Sequence, residues 1–222
     1  MMAIIRKEIV KPYLLLCEGR DAEGFLINYL GSEALSQDKR FSNEIQVMNF
    51  GGNSDLDNFI MNLKNMENFD QVRSLAIVRD AEKNYNKACN EIVRSLRKSN
   101  IACPSSCGEW VQNNTQPSVG YMLFPLNNKE GTLEDLCIKI LAETNSSGLL
   151  SSIDEYLAEL EKAFGRTYRR KHKNKLHTYL STSDKYVTMP LGMASKAGAF
   201  DWNSTCLDPL NIFLSTGLNF LG

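Results

Sequence analysis

The chain has 222 residues and a formal net charge of −1, with 43% hydrophobic and 23% charged residues. These values are ordinary for a globular protein, and the near-zero net charge excludes a global attraction to nucleic acid or membranes. No apolar run reaches the ~20 residues of a membrane span, and residues 1–11 lack the features of a secretion signal. We therefore expect no membrane association, a cytoplasmic location and reduced cysteine thiols.

The first part of the chain alternates strand-like and helix-like segments. Residues 13–17, 45–50 and 75–78 are short apolar runs typical of buried strands, and each precedes a helical pattern. Ser54 is expected to cap the second helix, with Asp57 three residues further on. This βαβαβα order predicts an α/β fold with a mainly parallel sheet flanked by helices.

The alternation breaks after the third helix. Residues 101–119 are rich in Pro, Ser, Asn and Gln and predict a long loop or hairpin, and residues 121–125 predict a fourth strand. Thr132 should cap the next helix and form a capping box with Asp135.

A polar stretch at residues 145–152 is expected to be a linker that divides the chain. We assign residues 1–145 to an α/β core and residues 146–222 to a mainly helical C-terminal extension, whose last helix should run from about 208 to 214. The apolar stripes of a segment this small need a partner surface, so we expect the extension to pack on the core.

Acidic residues follow three of the predicted strands. Glu18 follows the first, Asp80 and Glu82 follow the third, and Glu134 opens the helix after the fourth. Ligands of open parallel sheets bind beyond the carboxyl ends of the strands, and side chains two apart on an extended segment point the same way. These oxygen ligands predict a site for Mg²⁺ or Mn²⁺.

A structural interpretation of the same acids stays open. Asp80 could be the N-cap of the helix that follows it, since acidic residues commonly occupy that position. Asp135 has a role in the predicted capping box, which leaves Glu134 as the better ligand candidate.

At these residues the sequence resembles the Toprim domain, which is shared by topoisomerases, primases and OLD-family nucleases. The Toprim pattern is a glutamate-glycine after the first strand and a D-x-D after the third, matched here by Glu18-Gly19 and Asp80-Ala81-Glu82. The sequence is similar in particular to small Toprim-like proteins related to the OLD nucleases. Six segments carry this similarity: residues 16–25, 51–53, 77–82, 131–136, 173–180 and 193–202.

The resemblance implies a Toprim/Rossmann-like sheet and divalent-metal-dependent phosphoryl transfer on nucleic-acid phosphodiesters. Glu18 would take part in catalysis as well as metal binding, and Lys175 and Lys196 are candidates for the lysine that holds the transition-state anion.

Two positions depart from the family pattern. Glu82 replaces the second aspartate of D-x-D, and Ala22 stands where OLD-type nucleases often carry another acid, between Asp21 and Glu23. These departures leave open a degenerate Toprim module that binds nucleic acid, nucleotide or a protein partner without turnover.

A basic segment at residues 166–175 follows the first helical stretch of the predicted extension. Its cations could contact the phosphates of a nucleic acid or a nucleotide. Such contacts depend on charge and carry no sequence information. A solvated helix face, neutralised by the acidic stretch at 154–161, is the alternative. The nucleic-acid-binding candidates are Arg166, Arg169, Arg170, Lys171 and Lys173.

Overall fold

The computed structural model describes residues 8–112, 117–144 and 146–221. Within them, one five-stranded sheet has the order β2-β1-β3-β5-β4, and all neighbouring strands are parallel except β4 and β5. The predicted mainly parallel sheet, with the first and third strands adjacent, is confirmed. The strands are β1 (Tyr13–Cys17), β2 (Ile45–Asn49), β3 (Ser74–Asp80), β4 (Trp110–Val111) and β5 (Ser118–Phe124).

Helices cover both faces of the sheet. Helices α3 and α4 pack on one face, and α1, α5 and the C-terminal helices pack on the other. None of the helices in the described residues is long and apolar enough to cross a membrane. The helices are α1 (Gly19–Leu30), α2 (Arg40–Glu44), α3 (Leu56–Leu63), α4 (Tyr85–Lys98), α5 (Leu133–Glu143), α6 (Ser147–Phe164), α7 (Lys171–Ser181), α8 (Leu191–Lys196) and α9 (Asp208–Leu218).

The central strands bury both sets of alternating side chains. In β3, Ile77 belongs to the core under α3 and α4, whereas Val78 belongs to the core under α1 and α5. Strands covered on both faces are apolar throughout, which is why their sequences lack the polar alternation of half-exposed strands. The alternation continues to the strand end, so that Arg79 lies on the α4 side and Asp80 on the α5 side.

The predicted hairpin is present, because β4 pairs with β5 in antiparallel orientation. Strand β5 begins at Ser118, earlier than predicted, and residues 113–116 lie outside the described residues. Trp110 lies over Gly120, where an added Cβ would approach the indole ring to 2.6 Å. Its Nε1 donates to the Phe213 carbonyl at 3.0 Å, so Trp110 joins the hairpin to α9.

The predicted linker at 145–152 is wrong where the structure describes it, because α6 begins at Ser147. Leu150 and Ile153 are buried and anchor this helix. The polar residues belong to its exposed face, and Ser151 donates to the Ser147 carbonyl one turn earlier at 3.1 Å. The last helix is also longer than predicted and reaches Leu218.

The predicted cap at Ser54 is wrong as well. Asp55 accepts a hydrogen bond from the Gly52 N–H at 2.8 Å, in a short 3₁₀ turn that precedes α3. Asp57 instead holds α4 against α3, because its carboxylate pairs with Lys98 at 2.6 Å and accepts a hydrogen bond from Ser95.

Helices α1 and α8 touch through glycine. A Cβ added to Gly24 would lie 2.8 Å from the Gly192 Cα, which is closer than real side chains approach a backbone. Asn28 donates to the Gly192 carbonyl at 3.2 Å and to the Ser195 hydroxyl at 3.0 Å across the same contact. The C-terminal segment is therefore packed directly on the helix that follows Glu18.

Gly24→Ala should lower the free energy of unfolding by about 1–3 kcal/mol, because the added methyl group must push the two helices apart. Gly148→Ala in α6 is the matched control: its Cβ would meet nothing within 4 Å, and the helix propensity of alanine should be neutral or stabilising there. Urea unfolding of both variants checks this, and equal stability of Gly24→Ala and the wild type would contradict the close contact.

Candidate active site

A cleft of about 1040 Å³ lies beyond the carboxyl ends of the central strands. Seven acidic residues line it: Asp21, Glu130, Asp135 and the four metal-ligand candidates Glu18, Asp80, Glu82 and Glu134. All four were predicted as metal ligands from sequence, and the cleft also contains residues 168–173 of the basic segment.

Glu18 lies at the end of β1, beside a buried arginine. The register pairs Cys17 with Val78, so the next residues of the two strands, Glu18 and Arg79, are neighbours. The Arg79 side chain is only 1% exposed. Its Nε lies 3.6 Å from the Glu18 carboxylate, and one of its two terminal guanidinium nitrogens lies 3.1 Å from the Glu91 carboxylate on α4. The sequence prediction missed this ion-pair network, although a cation inside the apolar run of β3 was a signal for it.

Asp80 is the last residue of β3 and faces α5. Its Oδ1 accepts a hydrogen bond from the Leu133 N–H at 2.8 Å. The N-cap of α4 is Asn84, which accepts from the Lys87 N–H at 2.9 Å, so the alternative capping role of Asp80 is wrong.

The environment of Asp80 disfavours its charged form. Burial is the main cause that raises the pKa of Asp80 to about 7. The hydrogen bond from Leu133 opposes this increase, and the negative charges of Glu134, Glu18 and Glu82 add to it. A carboxyl group surrounded by three other carboxylates is a place where a cation would be stabilised.

Glu82 does not continue the strand. It has a positive φ of 55°, its side chain is exposed, and its N–H and carbonyl pair with Gly131, both at 2.8 Å. The predicted extended segment therefore does not reach Glu82, because the strand ends at Asp80, although both side chains line the cleft. A left-handed conformation at a residue other than glycine is uncommon and is often found at functional sites.

Glu134 lies in the first turn of α5. The predicted capping box is confirmed, since the Thr132 N–H donates to the Asp135 carboxylate at 2.8 Å. Glu134 is only 6% exposed, and its Oε1 pairs with the Lys173 ammonium at 2.9 Å. Its second oxygen, Oε2, is buried with no hydrogen-bond partner among the described residues.

The Glu134–Lys173 pair keeps both groups charged. Burial acts to raise the pKa of Glu134, but the hydrogen bond and charge of Lys173 outweigh it and hold that pKa below its usual value. Burial likewise acts to lower the pKa of Lys173, and Glu134 with Asp80 raises it overall. The lysine thus provides one positive charge beside the acidic residues.

The four acidic side chains share the cleft without meeting at one point. Across residues 8–112, 117–144 and 146–221, no three His, Cys, Asp or Glu side chains lie in a group that could hold a metal ion as they stand. Glu18 is directed to Arg79, Asp80 to the start of α5, and Glu134 to Lys173.

The basic segment contributes cations to the cleft lining, here called the basic wall. Arg169, Arg170, Lys171 and Lys173 line the cleft together with Tyr168 and His172, whereas Arg166 does not. Lys171 pairs with Glu161 of α6 at 2.7 Å.

The two lysines predicted to be catalytic lie elsewhere. Lys175 pairs with Asp154 at 2.6 Å and lines a neighbouring pocket, and Lys196 is exposed at the end of α8; neither lines the cleft. Lys173 is the lysine that contacts an acidic residue of the site.

Of the two acids beside Ala22, Asp21 lines the cleft and Glu23 does not. Ala22 is buried at the cleft wall. Asp21 accepts a hydrogen bond from the Gly192 N–H at 3.1 Å, and Glu23 accepts one from the Asn49 side chain. Both flanking carboxylates therefore have structural partners.

A family model described as "Protein of unknown function (DUF3226)" matches residues 12–219. The chain belongs to this family. No curated protein and no solved structure matches the sequence. The DUF3226 match spans both walls of the cleft, from Glu18 to Lys173, so the family includes the whole candidate site.

Proposed function

We propose that this protein is a Mg²⁺- or Mn²⁺-dependent phosphoryl-transfer enzyme of the Toprim type, a nuclease acting on nucleic-acid phosphodiesters. One observation carries the proposal: carboxylates at the strand ends and the cations of residues 169–173 line one cleft. A phosphate between them could bind a metal ion on one side and basic side chains on the other.

The ligand chemistry of the acidic residues suits a hard divalent cation, and their side chains would have to turn toward one point to bind it. All its candidate ligands are carboxylate oxygens, which suit Mg²⁺ and Mn²⁺. The raised pKa of Asp80 and the buried Oε2 of Glu134, without a partner among the described residues, are both features that a bound cation would stabilise. Asp80, Glu134 and Glu18 would hold the ion, with Glu82 at the exposed rim.

The bound ion would neutralise charge on the phosphate and lower the pKa of an attacking water. The basic wall would bind the substrate: Arg169 and Arg170 are exposed beside the cleft, and Lys173 lies nearest to the carboxylates. The charges of this wall would position the phosphodiester and stabilise the negative charge that develops on it.

A second candidate is a Toprim-like module that binds nucleic acid, nucleotide or a protein partner without cleaving a bond. The acids beside Ala22 favour it, because Asp21 and Glu23 already accept hydrogen bonds from Gly192 and Asn49. Binding through the basic wall would then persist without metal-dependent turnover.

Cleavage of plasmid DNA and of labelled DNA and RNA oligonucleotides, with Mg²⁺, Mn²⁺ or EDTA, separates the two candidates. We expect metal-dependent cleavage that Glu18→Gln and Asp80→Asn each reduce by more than about 100-fold, since even the outer partners of metal ligands contribute 10–100-fold. Asp154→Asn is the control, because its partner Lys175 lies outside the cleft. Oligonucleotide binding without any cleavage would support the non-catalytic module instead.

A further inference from the structure

An aromatic side chain stands next to the basic wall. Tyr168 lies in the segment between α6 and α7, is partly exposed and lines the cleft. Its backbone N–H donates to one Glu161 oxygen at 3.1 Å, and the Lys171 ammonium pairs with the other at 2.7 Å. One glutamate of α6 therefore fixes the segment that carries Tyr168 and the two arginines.

The two arginines beside Tyr168 are available to a ligand. Arg169 and Arg170 are exposed and form no ion pair within 4 Å in the described part of the chain, in contrast to Lys171 and Lys173. Cations that track a phosphate backbone, next to an aromatic ring on which a base can stack, are the combination found in sites for single strands.

The size of the cleft agrees with this combination. Five short segments surround it, residues 18–22, 51–52, 80–83, 130–135 and 168–173, and its volume is about 1040 Å³. Ligand pockets commonly measure roughly 300–1,000 Å³, so this cleft suits a few nucleotides. A base inside a duplex is stacked and paired, and a side chain in a cleft cannot reach its face without extruding it.

We infer that the cleft binds a single-stranded segment of nucleic acid, with Tyr168 stacking on a base whose neighbouring phosphates are held by Arg169 and Arg170. The inference depends on the proposed function in one respect: the bound phosphodiester would be directed toward the carboxylates for cleavage. Binding itself requires no turnover.

Fluorescence anisotropy tests it with labelled 12-nucleotide DNA and RNA single strands and the corresponding DNA duplex, measured in EDTA. We expect each single strand, or one of the two, to bind at least about tenfold more tightly than the duplex. Tyr168→Ala should weaken single-strand binding by about tenfold, the scale of one stacking contact, whereas Tyr168→Phe keeps the ring and should bind like the wild type. Tyr156→Ala removes an exposed tyrosine of α6 outside the cleft and should have no effect.

Salt dependence tests the arginines separately. Arg169→Ala and Arg170→Ala should each reduce the slope of log affinity against log salt by about 0.7, the value for one phosphate contact on a single strand. Arg166→Ala, outside the cleft lining, should leave the slope unchanged. Equal affinity for duplex and single strands, or full affinity in Tyr168→Ala, would overturn the inference. Metal-dependent cleavage of tightly bound duplex would also overturn it while leaving the proposed nuclease function intact.

Discussion

Replacing Asp80 by asparagine should raise the free energy of unfolding of the metal-free protein at pH 8 by on the order of 2 kcal/mol. The same replacement should remove the stabilisation that added Mg²⁺ is expected to give to the wild type. The wild-type carboxyl has a pKa of about 7 in the folded protein against an ordinary value of 3.8. Between these two pH values the folded state holds a proton that the unfolded state has released. The contribution of Asp80 to stability is therefore complete below about pH 3.8 and is lost as the pH rises through about 7.

Urea unfolding in EDTA, from pH 4 to pH 8.5, measures this effect. The stability difference between Asp80→Asn and the wild type should grow in favour of the variant as the pH rises, because asparagine carries no charge to bury. Added Mg²⁺ should stabilise the wild type by mass action and leave the variant unchanged. Asp154→Asn, whose carboxylate pairs with Lys175 outside the cleft, should show neither behaviour. A variant less stable than the wild type at pH 8 would contradict the unfavourable burial of this charge.

Replacing Lys173 by methionine should tighten Mn²⁺ binding by on the order of tenfold, equivalent to about 1.4 kcal/mol. The Lys173 ammonium lies 2.9 Å from a Glu134 oxygen, so a metal ion bound at the proposed site would compete with this lysine for the same buried carboxylate. Methionine has a similar length but no charge, so the competition ends. The same variant should bind single-stranded oligonucleotides less tightly, because the basic wall loses a cation.

Titration calorimetry with Mn²⁺ at pH 8 measures the first effect, and anisotropy measures the second. Lys171→Met is a close control: Lys171 is on the same helix, lines the same cleft and also pairs with a glutamate, but that glutamate is Glu161 and not a site acid. Its Mn²⁺ affinity should match the wild type. Weaker Mn²⁺ binding in Lys173→Met, or an equal gain in both variants, would show that Lys173 does not compete with the metal ion.

Much of the sheet was predictable because its strands are short continuous apolar runs bounded by clear helical patterns. The order of these segments was sufficient to predict parallel neighbours covered on both faces. The boundary at 145–152 failed for a physical reason: polar composition marks exposure to water, and the exposed face of α6 is as polar as a loop.

The location of the candidate site was predictable, but the directions of its side chains were not. Acidic residues after strands had to lie at the carboxyl edge of a parallel sheet. Tertiary contacts decided the rest: the register of β1 against β3 places Glu18 beside Arg79, and the bridge to Gly131 turns Glu82 out of the strand direction. Lys173, and not Lys175, is the lysine of α7 that contacts a site carboxylate, and this could be recognised only once the start of α7 was known.

Glu18 and Asp80 have partners that belong to opposite faces of the sheet, and this has a consequence for any cation they share. Glu18 is connected through Arg79 to Glu91 on α4, whereas Asp80 is connected to the first residue of α5. An ion bound by both carboxylates would be a cross-link between two helical layers that the sheet otherwise separates. Its binding free energy would then depend on the spacing of α4 and α5, and loosening either helix would weaken cation binding without altering a ligand.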